Sequence, residues 1–130
     1  MNKYSIFYKR NRALEAAYKR IIKASKGLAK HISRKTIIAL MQEQSAPRFY
    51  ITAETARLYI NNYSKRRRST LKVAMIEDLI STYNRLKAEN PDAPKEWLYE
   101  EVVLQPAKSF YMSDHRIEEV IFQYSGRNGK

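Results

Sequence analysis

Residues 44–63, QSAPRFYITAETARLYINNY, lie without a gap over residues 105–124, QPAKSFYMSDHRIEEVIFQY, at an offset of 61 residues. Six of the twenty positions are identical: Gln44/Gln105, Ala46/Ala107, Phe49/Phe110, Tyr50/Tyr111, Ile60/Ile121 and Tyr63/Tyr124. Identity at this level constrains little alone, because the best of many offsets always scores well. The rest of the chain at the same offset constrains more. Leu14, Tyr18 and Ile22 fall on Met75, Leu79 and Tyr83, and Ile37, Ile38 and Met41 fall on Leu98, Tyr99 and Val102. Positions 56, 59, 60 and 63 fall on 117, 120, 121 and 124, and Thr52 falls on Ser113. The partners differ where the pattern faces outward, as in Arg57/Glu118 and Glu54/His115. A duplicated packing unit must keep its apolar face and is free to change its polar one. The expectation is an all-α fold of two tandem three-helix, helix-turn-helix-like units, residues 1–66 and 67–130, related by an internal repeat.

Helical spacing supports each unit separately. Leu14, Tyr18, Ile21, Ile22, Leu28 and Ile32 form one stripe, which Gly27 ends or kinks. Ser33 is placed to cap a second helix with Ile37, Ile38, Leu40 and Met41 on its face, and Thr52 a third with Ala56, Tyr59, Ile60 and Tyr63. In the second half, Met75, Ile76, Leu79, Ile80, Tyr83 and Leu86 mark a helix that stops at Asn90-Pro91, since a residue before proline is pushed out of the helical region. Pro94 suits a first helical position, opening a helix with Trp97, Leu98, Val102 and Val103. Ser113 then caps a helix with Ile117, Val120, Ile121 and Tyr124 on its face.

Charge divides the halves. The chain carries 25 Lys/Arg against 13 Asp/Glu, net +12. Residues 1–36 hold eleven bases and the single acid Glu15, and KRRRSTLK at 65–72 adds five more bases. Residues 73–130 hold seven bases and ten acids. Such asymmetry points to a polyanionic partner for one half only. The candidate contacts are Lys19, Arg20, Lys23, Lys26, Lys30, Arg34 and Lys35 in the first two helices, then Lys65, Arg66, Arg67, Arg68 and Lys72. The acidic unit is expected to pack on the basic one or to meet a protein partner.

Catalysis finds little footing. His31 and His115 lie in different halves with no nucleophile or acid at a meaningful spacing. No metalloprotease, phosphate-loop or nucleophile-elbow motif occurs. Glu100-Glu101 and Glu118-Glu119 are adjacent pairs, whose side chains point about 100° apart on a helix and read as solvated faces. The absence of cysteine removes disulfides and thiolate metal sites, and it suits a reducing cytosol. No apolar run reaches the roughly 18 residues of a membrane span. MNKYSIFYKRNR lacks the apolar core of a signal peptide. The chain is thus read as non-enzymatic, with no cofactor, no metal and no membrane partner.

The third helix of the first unit, followed by basic residues, has the layout of a major-groove reader. Arg57 and Asn61 share its outward face, and both residue types hydrogen-bond base edges; the arginine run after it suits phosphates. One departure is that the segment before this helix exceeds the usual three- or four-residue turn. The Phe-Tyr pairs read more simply as hydrophobic staples than as base-stacking platforms, because the acidic half carries one too. The loop PRFYIT ahead of a capped helix, echoed by SFYMS, resembles loops in small basic proteins of tailed phages and mobile elements of gut bacteria. The resemblance covers the two 20-residue stretches and implies a nucleic-acid-binding role in the cytoplasm of a bacterial or phage-infected cell, or in a virion. It carries over no catalytic residue. Double-stranded DNA is the favoured partner. A phage assembly protein that meets nucleic acid or an acidic subunit without reading sequence, and an RNA- or ribosome-binding protein, remain open.

Overall fold

The structure is a computed structural model that describes residues 3–25, 32–62 and 69–124. Its elements are α1 (Lys3–Ala24), α2 (Arg34–Gln42), α3 (Ala53–Asn61), α4 (Thr70–Glu89), α5 (Lys95–Val102) and α6 (Asp114–Glu118), the last running into a π-helical segment, Glu119–Tyr124. The fold is all-α, with no strand among the described residues.

Four helices start on a hydroxyl. Ser33, Thr52, Ser69 and Ser113 have extended backbones and accept from the N–H of Thr36, Thr55, Lys72 and Arg116. Each satisfies one of the N–H groups that a first turn leaves without an internal partner. α4 closes at Asn90, whose N–H and side-chain amide both reach the Leu86 carbonyl. Three sequence expectations change here. Pro94 is the N-cap of α5, not its first residue. α1 stops at Ala24, where Ser25 Oγ donates to the Ile22 carbonyl at 2.6 Å, so Ile32 is not on its stripe. Leu40 and Trp97 are exposed, at 37% and 39%, and the buried faces use Ile37, Ile38 and Met41 in α2 and Leu98, Tyr99, Val102 and Val103 around α5. Gly27, Leu28 and Tyr63 lie outside the described residues.

The helices pack across the halves. α1 lies on α2 and α4 on α5, as two helical hairpins. α3, however, packs on α4 and α5, while α6 packs on α2 and the π-helical segment on α1. The last helix of each half therefore sits on the first two of the other. Ten residues, 43–52, join α2 to α3, and extended chain covers about 3.3–3.6 Å per residue. That length carries α3 across, where a short turn holds it on its own hairpin.

The crossing point is tied by hydrogen bonds. Ala46 and Ala107 exchange both backbone bonds, N–H to carbonyl at 2.9 and 3.0 Å, as an isolated antiparallel bridge. Phe49 N–H donates to the Val103 carbonyl at 2.9 Å, and Gln42 Nε2 donates to the Met112 carbonyl at 2.7 Å. Phe49 and Phe110 are buried in one apolar cluster that draws on both halves, and the Tyr50 ring stacks parallel to Phe110. The two Phe-Tyr pairs, read from the sequence as staples at two separate helix starts, meet each other. Tyr111 has a left-handed backbone, φ 54°, which costs a non-glycine residue about 1–2 kcal/mol. Asp78, buried on α4, holds it there, accepting from Tyr111 Oη at 2.7 Å and from Lys108 N–H at 2.9 Å.

Candidate nucleic-acid interface

α1 is built with two faces. Ile6, Leu14 and Ala17 are buried, and Tyr18, Ile21 and Ile22 pack partly against the core. Steps of three or four residues then bring Lys9, Arg12, Lys19, Arg20 and Lys23 to the opposite side, and all five are exposed. The one acid of α1, Glu15, is half-buried beside them. Among the described residues none of these five bases forms an ion pair; Arg12 alone has a polar partner, donating to Tyr8 Oη at 3.0 Å. From Lys9 to Lys23 the stripe runs about 21 Å at 1.5 Å per residue. Lys23 stands in the last turn, where the helix dipole favours a cation.

The other expected contacts divide. Lys35 is exposed at the start of α2. Its neighbour Arg34 is partly committed, its guanidinium 4.8 Å over the Phe122 ring and 4.0 Å from the Glu118 carboxylate. Phe122 in turn meets Tyr18 of α1 edge to face, so α1, α2 and the π-helical segment are joined beside the stripe. Lys72 donates to Tyr59 Oη at 3.0 Å and lies 5.2 Å over that ring. Lys26, Lys30, Lys65, Arg66, Arg67 and Arg68 lie outside the described residues.

α3 does not present a free reading face. Arg57 forks onto both carboxylate oxygens of Glu54, one bond at 3.2 Å. The arginine hydrogen bond holds the Glu54 carboxyl below the usual carboxylate range, and the same bond raises Arg57. Asn61 Oδ1 accepts from Tyr99 Oη of α5 at 3.3 Å. Both side chains expected on base edges are thus engaged within the fold.

Lys9 and Arg12 were not among the contacts expected from sequence. The signal was present, since positions 9, 12, 16, 19, 20 and 23 follow helical steps and only Ala16 is uncharged. Nor were Arg10 and Arg48, which turn inward, among those contacts. No group of His, Asp and Glu with metal-ligand spacing occurs among the described residues. No described helix is long and apolar enough to cross a membrane. No protein-family model, no curated protein and no solved structure matches this chain.

Proposed function

We propose that this chain is a non-enzymatic nucleic-acid-binding protein that holds double-stranded DNA by its phosphates. The observation that carries the reading is the outer face of α1, where Lys9, Arg12, Lys19, Arg20 and Lys23 stand exposed and form no ion pair among the described residues, the helix's one acid, Glu15, being half-buried. Clusters of exposed cations that nothing internal neutralises are what a counterion-releasing phosphate contact requires. Lys35 and the basic run 65–68 extend the same sign of charge. The engagement of Arg57 and Asn61 favours clamping over base readout.

We also infer that the two halves descend from one three-helix unit. The bridge supports this, because Ala46 and Ala107 are matched positions and bond reciprocally, as equivalent residues do about a two-fold axis. The exchange of α3 for α6 is reciprocal too. The second copy lacks that basic face: α4 exposes Arg85 and Lys87 alongside Glu77 and Glu89, with Arg85 paired to Glu89. α5 exposes Lys95 alongside Glu96 and Glu100, and this mixed surface suits a protein partner better than a polyanion.

The test is a titration of the full chain against random duplex DNA, single-stranded DNA and structured RNA at two salt concentrations. Tightest binding to duplex DNA with a steep salt dependence is expected. Preference for structured RNA moves the ribosome-type reading ahead, and no binding to any of the three leaves the assembly role.

A further inference from the structure

A cavity of about 350 Å³ opens between the start of α1, the 48–52 loop, the first turns of α3 and α4, and the 109–111 loop. Its charge is one-sided. Arg10, Arg48 and Lys72 line it, and no carboxylate does among the described residues. Among the described residues, the hydrogen-bond and ring partners of each cation are neutral. Arg10 shares the Asn11 side-chain oxygen and lies 4.9 Å over the Phe7 ring. Arg48 donates to the carbonyls of Phe49 at 3.0 Å and Ile51 at 3.2 Å. Lys72 donates to Tyr59 Oη. Partial burial without a counter-charge is unfavourable; it lowers the pKa of both Arg10 and Arg48, and the nearby charge of Arg116 lowers Arg10 further. A bound anion relieves that cost directly.

The rest of the lining is flat and apolar. Phe7, Tyr50, Phe110 and Tyr111 contribute rings, with Tyr50 and Phe110 parallel to within 3°. Thr52 and Thr55 bring the first turn of α3 to the wall. A small inorganic anion leaves these rings without purpose, and a neutral aromatic leaves the cations unanswered. Rings with cations beside them are the combination that holds a base by stacking and its phosphate by charge. The volume lies within the roughly 300–1,000 Å³ of small-molecule sites.

We propose that this cavity binds one nucleotide, its base against the rings and its phosphate between Arg10, Arg48 and Lys72. Two sources share that chemistry: a free mononucleotide, or an unpaired nucleotide of a strand lying on α1. The second source rests on the proposed function, since α1 supplies both the basic outer face and, through Phe7 and Arg10, one wall of the cavity.

Full-length protein labelled with ¹⁵N tests this through the Nε–H signals of Arg10 and Arg48, with affinities from calorimetry. The probes are adenosine 5′-monophosphate, adenosine, ribose 5-phosphate, a fully paired DNA hairpin and the same hairpin with one bulged base. The mononucleotide should move both arginine signals and bind at least about tenfold more tightly than adenosine or the sugar phosphate. Arg10→Gln and Arg48→Gln, each checked for native helicity, should weaken it by about tenfold or more. A gain of the bulged over the paired hairpin assigns the strand as source; mononucleotide binding without that gain assigns the free nucleotide. Ribose 5-phosphate matching the mononucleotide overturns the proposal, as does silence of both arginines with every probe. Paired-hairpin binding that persists beside such silence leaves the duplex reading standing.

Discussion

Replacing Phe49 by alanine tests whether the two halves share one core. The ring is 2% exposed in the cluster common to both halves, and its own N–H bonds Val103 across the crossing point. Truncating a buried phenylalanine costs about 3–5 kcal/mol, from lost transfer energy and the cavity left behind. With an unfolding entropy of about 2.1 cal/mol/K per residue, 130 residues give about 0.27 kcal/mol/K. The expected fall in Tm is therefore about 11–18 °C. Thermal unfolding followed by circular dichroism, and separately by Trp97 fluorescence, is the assay. Trp97 is in the second half and Phe49 in the first, yet both signals should move together by the full amount. Phe110→Ala should shift the same transition by a similar amount. Leu40→Ala, at an exposed position on α2, should cost within about 0.5 kcal/mol. A Trp97 transition unmoved by Phe49→Ala, or two separated transitions, refutes the shared core.

Asp78→Asn should cost about 1–3 kcal/mol, because the acceptor of Tyr111 Oη and Lys108 N–H loses its charge. Burial, then the bond to Asp78, holds the Tyr111 phenol far above the ordinary value of 10.0. A raised folded pKa gives stability that is complete below pH 10 and lost as pH climbs toward the folded value. A tyrosinate absorbance titration should show a late fraction that Asp78→Asn brings earlier. Thr52→Ala and Ser113→Ala each remove a helix cap and should cost about 1 kcal/mol by urea unfolding. Arg57→Ala should weaken a selected and a scrambled DNA site equally in competition binding, since its guanidinium is held by Glu54; a loss of about 1–3 kcal/mol confined to the selected site contradicts this.

Helix positions were legible because the chain states them twice over, through apolar spacing and through hydroxyl caps. Ser33, Thr52 and Ser113 cap where their spacing predicts, each accepting from the N–H three residues on. Partner choice between helices was not legible. An apolar stripe on α3 fits either helical hairpin, because the two hairpins carry apolar residues at matching positions of the 61-residue offset. The ten-residue link was the sole hint that α3 crosses over. Tyr111's left-handed backbone was hidden for a related reason. Its support, Asp78, matches Ala17 in the first half, so the repeat pointed away from it. The basic face of α1 was half legible: its charges stood in the sequence, but separating the outward Lys9 and Arg12 from the inward Arg10 needed the packing of Ile6, Leu14 and Ala17. Arg57 and Asn61 were read from a helix face alone, which does not show that Glu54 and Tyr99 already bond them.

The most direct measurement is the slope of log K against log salt on duplex DNA, for the natural chain and for the combined variant Lys9→Gln, Arg12→Gln, Lys19→Gln and Lys23→Gln. These four side chains are exposed and off the apolar face, so helicity and Tm should hold. Each phosphate contact contributes about 0.9 to the slope on B-DNA. The variant's slope should be shallower by about 3.6 if all four meet phosphates, with a matching loss of affinity at low salt. An unchanged slope and affinity in a folded variant contradicts the assignment of α1's outer face to nucleic acid.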